Sequence, residues 1–331
     1  MIMIKRALGK SGIEASAIGL GTWAIGGGEW WGDSEDEKSI ETIRKAVEAG
    51  ITLIDTAPCY GFGKSETVVG KALKGIRDKV ILSTKCGLWW NDERGSFFFA
   101  QDGHNVNRCL EPDTIKREVK MSLKRLDTDY LDVYFTHWQS VPPYVTPISK
   151  TMECLMDLKR QGIIRCIGAS NVEKEHIDEY LKYGELDVIQ EKYSMLDRGL
   201  ETRLIDSCLK NNLAFMAYSP LEQGLLTGKI TMESVFDEKE KRSSIPWMKP
   251  VNRIKVINML DSWSDLTKKY NCTTANLVVA WSMNQPGMSH ILCGARKPEH
   301  ILETAASANV ALTAEELKRM RDDVIALGDP E

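Results

Sequence analysis

Eight short apolar runs recur along the chain, and each ends at or beside a residue that can carry chemistry or hold a ligand. These residues are, in chain order, Gly21, Asp55, Lys85, His137, Ser170, Gln190, Ser219 and Gly294. Helical patterns separate most of the runs, and strands that alternate with helices form parallel sheets whose right-handed crossovers favour closure. The sequence therefore predicts an α/β protein of the (β/α)8 TIM-barrel class, whose active sites lie at the carboxyl ends of the strands.

Size and composition fit a single domain over residues 1–331 with a sizeable core, since 43% of the residues are apolar. The formal charge is −4 and no dense basic block is present, which argues against nucleic acid or an anionic membrane as the main partner. No apolar run is long enough to span a bilayer, and residues 1–16 lack the apolar core of a signal peptide. Eight scattered cysteines without a C-x-x-C pair favour reduced thiols. We therefore expect a cytoplasmic protein that acts on a small molecule, and a homo-oligomer stays open.

Several segments lie outside the repeating units. Residues 4–17 carry turn residues between two short apolar runs, which predicts an amino-terminal hairpin before the barrel. The connections 86–111 and 219–251, with the tryptophan-rich segment 23–32, are expected to be extended loops at the catalytic mouth, because long loops are usually functional or mobile. Helices are predicted over 36–49, 65–74, 112–126, 147–161, 173–183, 200–211, 252–269, 273–284, 298–307 and 314–326.

Six strings, in register with the predicted strands, carry a family resemblance. The most specific is GITLIDTAPCYGFGKSETVVGKALKG, which begins at Gly50; the others are STK at 83–85, THW at 136–138, GASN at 168–171, YSPL at 218–221 and CGARKPE at 293–299. Over essentially its whole length the chain resembles the aldo-keto reductase superfamily, and most of all its bacterial members that act on sugars, polyols and small aldehydes. The resemblance implies a nicotinamide-dependent oxidoreductase.

The residues after the second, third and fourth strands suit that chemistry. Reduction of a carbonyl by hydride needs a proton donor at the developing alkoxide and a group that polarises the C=O bond. A tyrosine has an ordinary pKa of about 10, which a nearby ammonium lowers, while a carboxylate holds that ammonium charged. Tyr60, Lys85 and Asp55 can take these parts, and His137 can hydrogen-bond the carbonyl oxygen. The resemblance implies that Tyr60 is the general acid, assisted by the other three.

The resemblance also assigns residues to the cofactor. It implies that Ser170, Asn171 and Gln190 hold the nicotinamide amide and that Tyr218 stacks on the ring. Gly21, Thr22 and Trp23 would flank the nicotinamide ribose, and Ser219, Leu221 and Gly224 would meet the pyrophosphate. Asp55 is also counted among the cofactor-binding residues. In this barrel class, loops after the seventh and eighth strands commonly bind phosphate through backbone N–H groups. No G-x-G-x-x-G follows the first strand, so a Rossmann domain has no support.

The choice between NADP and NAD depends on the segment from Gly294 to Thr304. Arg296 and Lys297 precede a helix start at Pro298, a favourable place for a 2′-phosphate, which predicts NADP. The chain departs from the family pattern at His300 and Thr304, which would touch the adenine. This departure leaves NAD open.

Tryptophan side chains on the predicted mouth loops could stack against the apolar face of a sugar ring. We expect Trp30, Trp31 and Trp138 to line the substrate pocket with Tyr60 and His137. Trp23, Trp89 and Trp90 are expected on the same loops. The predicted substrate is therefore a sugar-derived aldehyde or ketone.

Three alternatives remain. The enzyme could run in the oxidative direction on a sugar or polyol. The chain could instead be a cofactor-sensing regulatory subunit, as some proteins of this kind are, although the complete catalytic quartet weakens that hypothesis. A metal-dependent barrel lyase would need clustered histidines and carboxylates, yet only His137 and His290 lie near strand ends, so no metal is expected.

Overall fold

The computed structural model of the chain describes residues 3–238 and 240–331. Its strands are β1 (Lys5–Ala7), β2 (Glu14–Ser16), β3 (Ile18–Gly21), β4 (Leu53–Asp55), β5 (Ile81–Cys86), β6 (Leu88–Trp89), β7 (Ser96–Gln101), β8 (His104–Arg108), β9 (Leu131–Thr136), β10 (Ile164–Ser170), β11 (Val188–Lys192), β12 (Ala214–Tyr218) and β13 (His290–Gly294). Eight of them close a parallel barrel in the order β3-β4-β5-β9-β10-β11-β12-β13. The predicted (β/α)8 barrel is confirmed.

Helices cover the outside of the barrel. They are α1 (Asp36–Glu48), α2 (Lys64–Leu73), α3 (Pro112–Leu126), α4 (Ile148–Arg160), α5 (Lys174–Tyr183), α6 (Leu200–Arg203), α7 (Ile205–Asn211), α8 (Pro250–Asp261), α9 (Ser264–Tyr270), α10 (Thr274–Met283), α11 (Pro298–Ala306) and α12 (Ala314–Ala326). Two predicted helices are each divided in two. The first break falls at Leu204, where φ is −121°, and the second at Trp263, whose buried indole donates to Asp323. No helix in the described part of the chain is long and apolar enough to cross a membrane.

The amino-terminal hairpin closes one end of the barrel. β1 and β2 pair antiparallel, with Lys5 opposite Ser16, as the sequence predicts. Leu8 and Ile13 in the hairpin pack into the same apolar cluster as Phe135 and Met216 of the barrel strands. Because this cluster fills the barrel interior at the hairpin end, a functional site is expected at the opposite mouth.

Strand residues alternate between the interior and the helices. On β9, Val133 and Phe135 belong to the interior cluster, whereas Tyr134 packs in the larger cluster under the helices. Both faces of the barrel strands are therefore buried, as expected for a parallel sheet covered by helices.

The two long connections are more ordered than expected. Residues 86–111 contain a three-stranded antiparallel sheet in the order β6-β8-β7, and not a plain loop. Its hairpin turns at Asp102 and Gly103, both with positive φ (48° and 78°), as a two-residue turn requires. The 219–251 connection is built from short 3₁₀ turns at Glu222–Thr227, Lys241–Ser244 and Pro246–Met248.

Candidate active site

The four predicted catalytic residues meet at one barrel mouth. Asp55 ends β4, Lys85 lies near the end of β5, and His137 follows β9 directly. Lys85 Nζ donates to Asp55 Oδ2 at 2.7 Å and to the carbonyl of Thr56 at 2.8 Å. Tyr60 follows β4, and its ring centroid lies 5.0 Å from Lys85 Nζ and 6.0 Å from the His137 ring centroid. The neighbouring strand ends of the barrel therefore bring the four residues together, as the sequence predicts.

The Lys85–Asp55 pair is buried, and the second carboxylate oxygen of Asp55 also has hydrogen-bond partners. Both residues are at most 2% exposed. Asp55 Oδ1 accepts hydrogen bonds from Ser83 Oγ at 2.7 Å and from Gln190 Nε2 at 3.0 Å. Removing one partner of a buried pair leaves an uncompensated charge, which costs about 3–5 kcal/mol. This pair is thus a fixed dipole beneath Tyr60.

The pKa of Tyr60 moves opposite to the expectation. Burial raises it well above its usual value of 10.0, and the Asp55 carboxylate raises it further. Lys85 donates to Asp55 and to Thr56, and the lowering by Lys85 that the sequence predicts stays a prediction. Tyr60 is consequently a protonated phenol at neutral pH, the form that can donate a proton.

His137 is neutral for related reasons. Burial, and then the Lys85 ammonium, lower the pKa of His137 well below 6.5. Its Nδ1 lies 3.7 Å from Cys59 Sγ, and burial raises the pKa of that thiol to about 12. A protonated thiol can donate to Nδ1, which leaves the proton on Nε2 and makes that nitrogen a donor.

The residues predicted to grip the cofactor amide form one network with the quartet. Ser170 Oγ donates to the carbonyl of Gln190 at 2.6 Å. Asn171 Nδ2 donates to the carbonyl of His137 at 2.8 Å, and Asn171 Oδ1 accepts from the Tyr218 hydroxyl at 2.9 Å. The structure therefore brings these residues together at the ends of β10, β11 and β12.

Thr22 contacts Asp55, which the sequence did not predict. It is fully buried, and both its amide and its hydroxyl donate to the carbonyl of Asp55 at 2.9 Å. Gly21 and Gly294 lie opposite each other in the β3–β13 pairing, and a Cβ at either would meet no atom closer than 3.9 Å. The two glycines thus leave a notch at the mouth, whereas Thr22 supports Asp55 from behind.

The loop after β12 has an unusual backbone. Ser219, Glu222, Gln223 and Gly224 all have positive φ, between 44° and 103°. The amide of Gly224 donates to the carbonyl of Leu221 at 2.9 Å, and Gln223 Oε1 is buried without a hydrogen-bond partner. Left-handed conformations at non-glycine residues concentrate at ligand-binding segments.

The predicted 2′-phosphate segment makes contacts that the sequence did not suggest. The Arg296 guanidinium donates to the carbonyl oxygens of Trp31 at 2.8 Å and of Asp33 at 3.2 Å. Thr304 is buried, and its hydroxyl donates to the carbonyl of His300 in its own helix. Arg296 thereby fastens the tryptophan-rich loop to the start of α11.

Aromatic rings form a continuous rim on the mouth. Trp23 contacts Trp31 edge-on at 5.1 Å, and the rim runs from Tyr60 through Trp23, Trp30, Phe99 and Phe98 to Trp138, with neighbouring ring centroids 5.0–6.3 Å apart. Trp89 is not part of this rim, since it is buried and donates to Asp92. Trp90 contacts Phe62.

Sequence reasoning missed the members of the rim that lie on the inserted sheet, Phe98 and Phe99, and with them Arg108. An available signal was the Asp102–Gly103 pair between two short runs, which is a strong hairpin indication.

Comparison with known proteins agrees with this site. The model of the aldo/keto reductase family matches residues 17–324. The chain is 47% identical over 327 residues to the NADH-specific methylglyoxal reductase of Escherichia coli (strain K12), covering 98% of this chain and 99% of that one. The glycerol dehydrogenase of Gluconobacter oxydans superposes with a TM-score of 0.87 at 32% identity, covering 100% of this chain and 98% of the other. An aldo-keto reductase of Klebsiella pneumoniae in complex with NADPH superposes with a TM-score of 0.73 at 27% identity, covering 100% and 97%.

The chain belongs to the aldo/keto reductase family. It is an oxidoreductase that reduces a carbonyl compound with a nicotinamide cofactor. The family and the reaction class predicted from the sequence are confirmed.

Proposed function

We propose that the chain reduces small aldehydes, with 2-oxoaldehydes such as methylglyoxal among its substrates, and that Tyr60 donates the proton. The observation that carries this proposal is the buried Lys85–Asp55 pair beneath a protonated Tyr60 and beside a neutral His137. The similarity to a methylglyoxal reductase supports the substrate class.

The residues present fit a nicotinamide dinucleotide. The notch at Gly21 and Gly294 admits a group where a side chain would otherwise stand. The buried, unpartnered Gln223 Oε1 lies in the loop assigned to the pyrophosphate and is able to accept a hydrogen bond. When bound, the nicotinamide supplies the hydride; Ser170, Asn171 and Gln190 would orient its amide, and Tyr218 would cover its ring.

The chain's own groups supply the rest. His137 Nε2 donates to the carbonyl oxygen and orients it. The Tyr60 hydroxyl then gives its proton to the oxygen as negative charge develops there. Lys85 stabilises the resulting phenolate, and Asp55, held by Ser83 and Gln190, keeps Lys85 charged and in position.

The choice between NADPH and NADH is part of the proposal. Arg296 and Lys297 at the start of α11 favour NADPH. The hydrogen bonds of Arg296 to Trp31 and Asp33, and the similarity to an NADH-specific enzyme, favour NADH. We propose that NADH is the better cofactor, because the hydrogen bonds of Arg296 to Trp31 and Asp33 hold it on the tryptophan-rich loop. The predicted preference for NADP stays a prediction.

A second candidate is oxidation of a polyol or sugar. It is favoured by the similarity to a glycerol dehydrogenase over the whole chain, and by the aromatic rim, which suits a sugar-derived carbonyl at Trp30, Trp31 and Trp138. A cytoplasmic location is proposed with either candidate.

Steady-state rates read at the nicotinamide absorbance test these proposals. Purified protein is assayed with methylglyoxal, glyceraldehyde and aldoses, each with NADH and with NADPH, and in reverse with glycerol and the oxidised cofactors. We expect the highest kcat/KM with a compact aldehyde and NADH. Higher kcat/KM for glycerol oxidation would favour the second candidate, and absence of turnover with every pair would contradict both.

A further inference from the structure

Arg108 is a cation built into the aromatic rim. It lies at the end of β8, and its guanidinium carbon is 3.9 Å from the Phe98 ring centroid and 4.5 Å from that of Trp138. Trp138 directly follows His137 in the chain. The charge therefore adjoins the wall next to the candidate active site.

The guanidinium has no hydrogen-bond acceptor in the described part of the protein. Its Nε is buried without a partner, and no carboxylate of residues 3–238 or 240–331 forms an ion pair with it. Burial also lowers the pKa of Arg108, although an arginine stays charged at any physiological pH. Stacking on two aromatic faces compensates only part of the lost hydration.

Arg94, the other arginine of the inserted sheet segment, is paired with carboxylates, whereas Arg108, within the described part of the chain, is not. Arg94, on the same insertion, donates to both oxygens of Asp92, and its Nη1 lies 3.9 Å from Glu111 Oε2. Arg108 differs because its strand is central: its backbone pairs with Leu88 on one side and with Ser96 on the other. The sheet thus holds Arg108 at the rim, away from the carboxylates that neutralise its neighbour.

We propose that Arg108 binds an anionic group of the substrate, so that the enzyme prefers aldehydes that also carry a carboxylate or a phosphate. This inference rests on the proposed aldehyde reduction at Tyr60. The planar guanidinium presents a fork of N–H donors that matches two oxygens of such a group, and the rings of Phe98 and Trp138 contact it. The second carbonyl of a 2-oxoaldehyde would be a weaker acceptor for the same donors.

Matched substrate pairs test the proposal. Butanal is compared with succinic semialdehyde, and glyceraldehyde with glyceraldehyde 3-phosphate, so that the two arms distinguish a carboxylate from a phosphate. We expect kcat/KM of at least one anionic member to exceed that of its neutral partner by about ten- to a hundredfold, as a charge-assisted contact implies. In Arg108→Met that ratio should fall to about one, and Arg108→Lys should restore only part of it.

Controls separate this proposal from the proposed function. Arg94→Met removes a charge from the same insertion and should leave the ratio unchanged. A measurement independent of turnover is the binding of butyrate and of inorganic phosphate to the wild-type protein with cofactor, followed by calorimetry, which should weaken in Arg108→Met. Circular dichroism and thermal melting establish that each variant is folded, and Arg108→Gln replaces the methionine variant if it is not.

Two outcomes would overturn the inference: equal kcat/KM within both wild-type pairs, or an Arg108→Met variant that loses neutral and anionic substrates in equal proportion. The second would mean that Arg108 only braces Trp138. If the wild type reduces neither kind of aldehyde, the proposed function fails, and the binding measurement alone decides whether Arg108 holds anions.

Discussion

The strand ends and the aromatic rim of this barrel follow different rules. At the strand ends, Asp55, Lys85 and His137 meet because the parallel strands that carry them are neighbours in the barrel. On the rim, Trp138 meets Phe98 and Arg108 because an inserted sheet folds back across the mouth. The first region is fixed by the fold, whereas the second depends on which loops pack together. We propose that the strand ends carry out the reaction and that the rim determines which substrates bind.

Tyr60→Phe is the sharpest test of the strand-end region. Loss of a positioned acid lowers the rate by about 10²–10⁴-fold. We expect kcat to fall by that amount while the dissociation constant of the cofactor, measured by fluorescence titration, changes little. Near wild-type turnover on the best aldehyde would remove Tyr60 from the role of proton donor.

Lys85→Met should damage stability as well as activity. It leaves the Asp55 carboxylate buried without its cation, so the free energy of unfolding should drop by about 3–5 kcal/mol. The double variant Lys85→Met/Asp55→Asn, in which no charge is stranded, should recover most of this stability without recovering turnover. Urea unfolding of the three proteins measures the effect, and equal stability of the single and double variants would contradict it.

Arg296→Ala tests whether one residue serves both regions. If Arg296 binds the 2′-phosphate, affinity for NADPH should fall about ten- to a hundredfold while NADH is spared, because a charge-assisted contact contributes about 1.5–3 kcal/mol. If Arg296 mainly fastens the tryptophan-rich loop through Trp31 and Asp33, the affinities for NADPH and NADH should fall together and the substrate KM should rise. We expect the second pattern, and Lys297→Ala is the matched control on the neighbouring cation.

The same division explains what the sequence could predict. Strand-end residues are identifiable from short apolar runs, because each run dictates where its strand stops. Arg108 could not be identified in this way, since its importance arises from partners at 98 and 138 that no local pattern connects. The direction of the Tyr60 pKa shift was also out of reach, because it depends on burial of the ring and on the nearby Asp55 carboxylate.

Trp138→Ala measures the contribution of the rim. A sugar ring that stacks on Trp138 should lose more binding energy than a compact aldehyde, which reaches Tyr60 without this surface. We therefore expect KM to rise several-fold for an aldose and by less for methylglyoxal. Trp90→Ala, which removes a ring that contacts Phe62 instead, serves as control. An equal rise for both substrates would mean that Trp138 only packs the mouth, and the expectation of a sugar-derived substrate would lose its support from this residue.

The smallest effect is expected from a change of pH, which tests the protonation of Tyr60 and His137 at the strand ends. Tyr60 donates only when protonated, so the reductive rate is lost as pH rises through its pKa, which lies well above 10.0. His137 must be neutral, so the rate is lost as pH falls through its pKa, which lies well below 6.5. Between these limits kcat/KM for aldehyde reduction should change by less than about twofold, since neither group titrates there. The profile is measured with a neutral aldehyde, so that substrate ionisation does not contribute. A falling limb between pH values of about 7 and 9 would instead show that Lys85 lowers the pKa of Tyr60, as the sequence alone predicts.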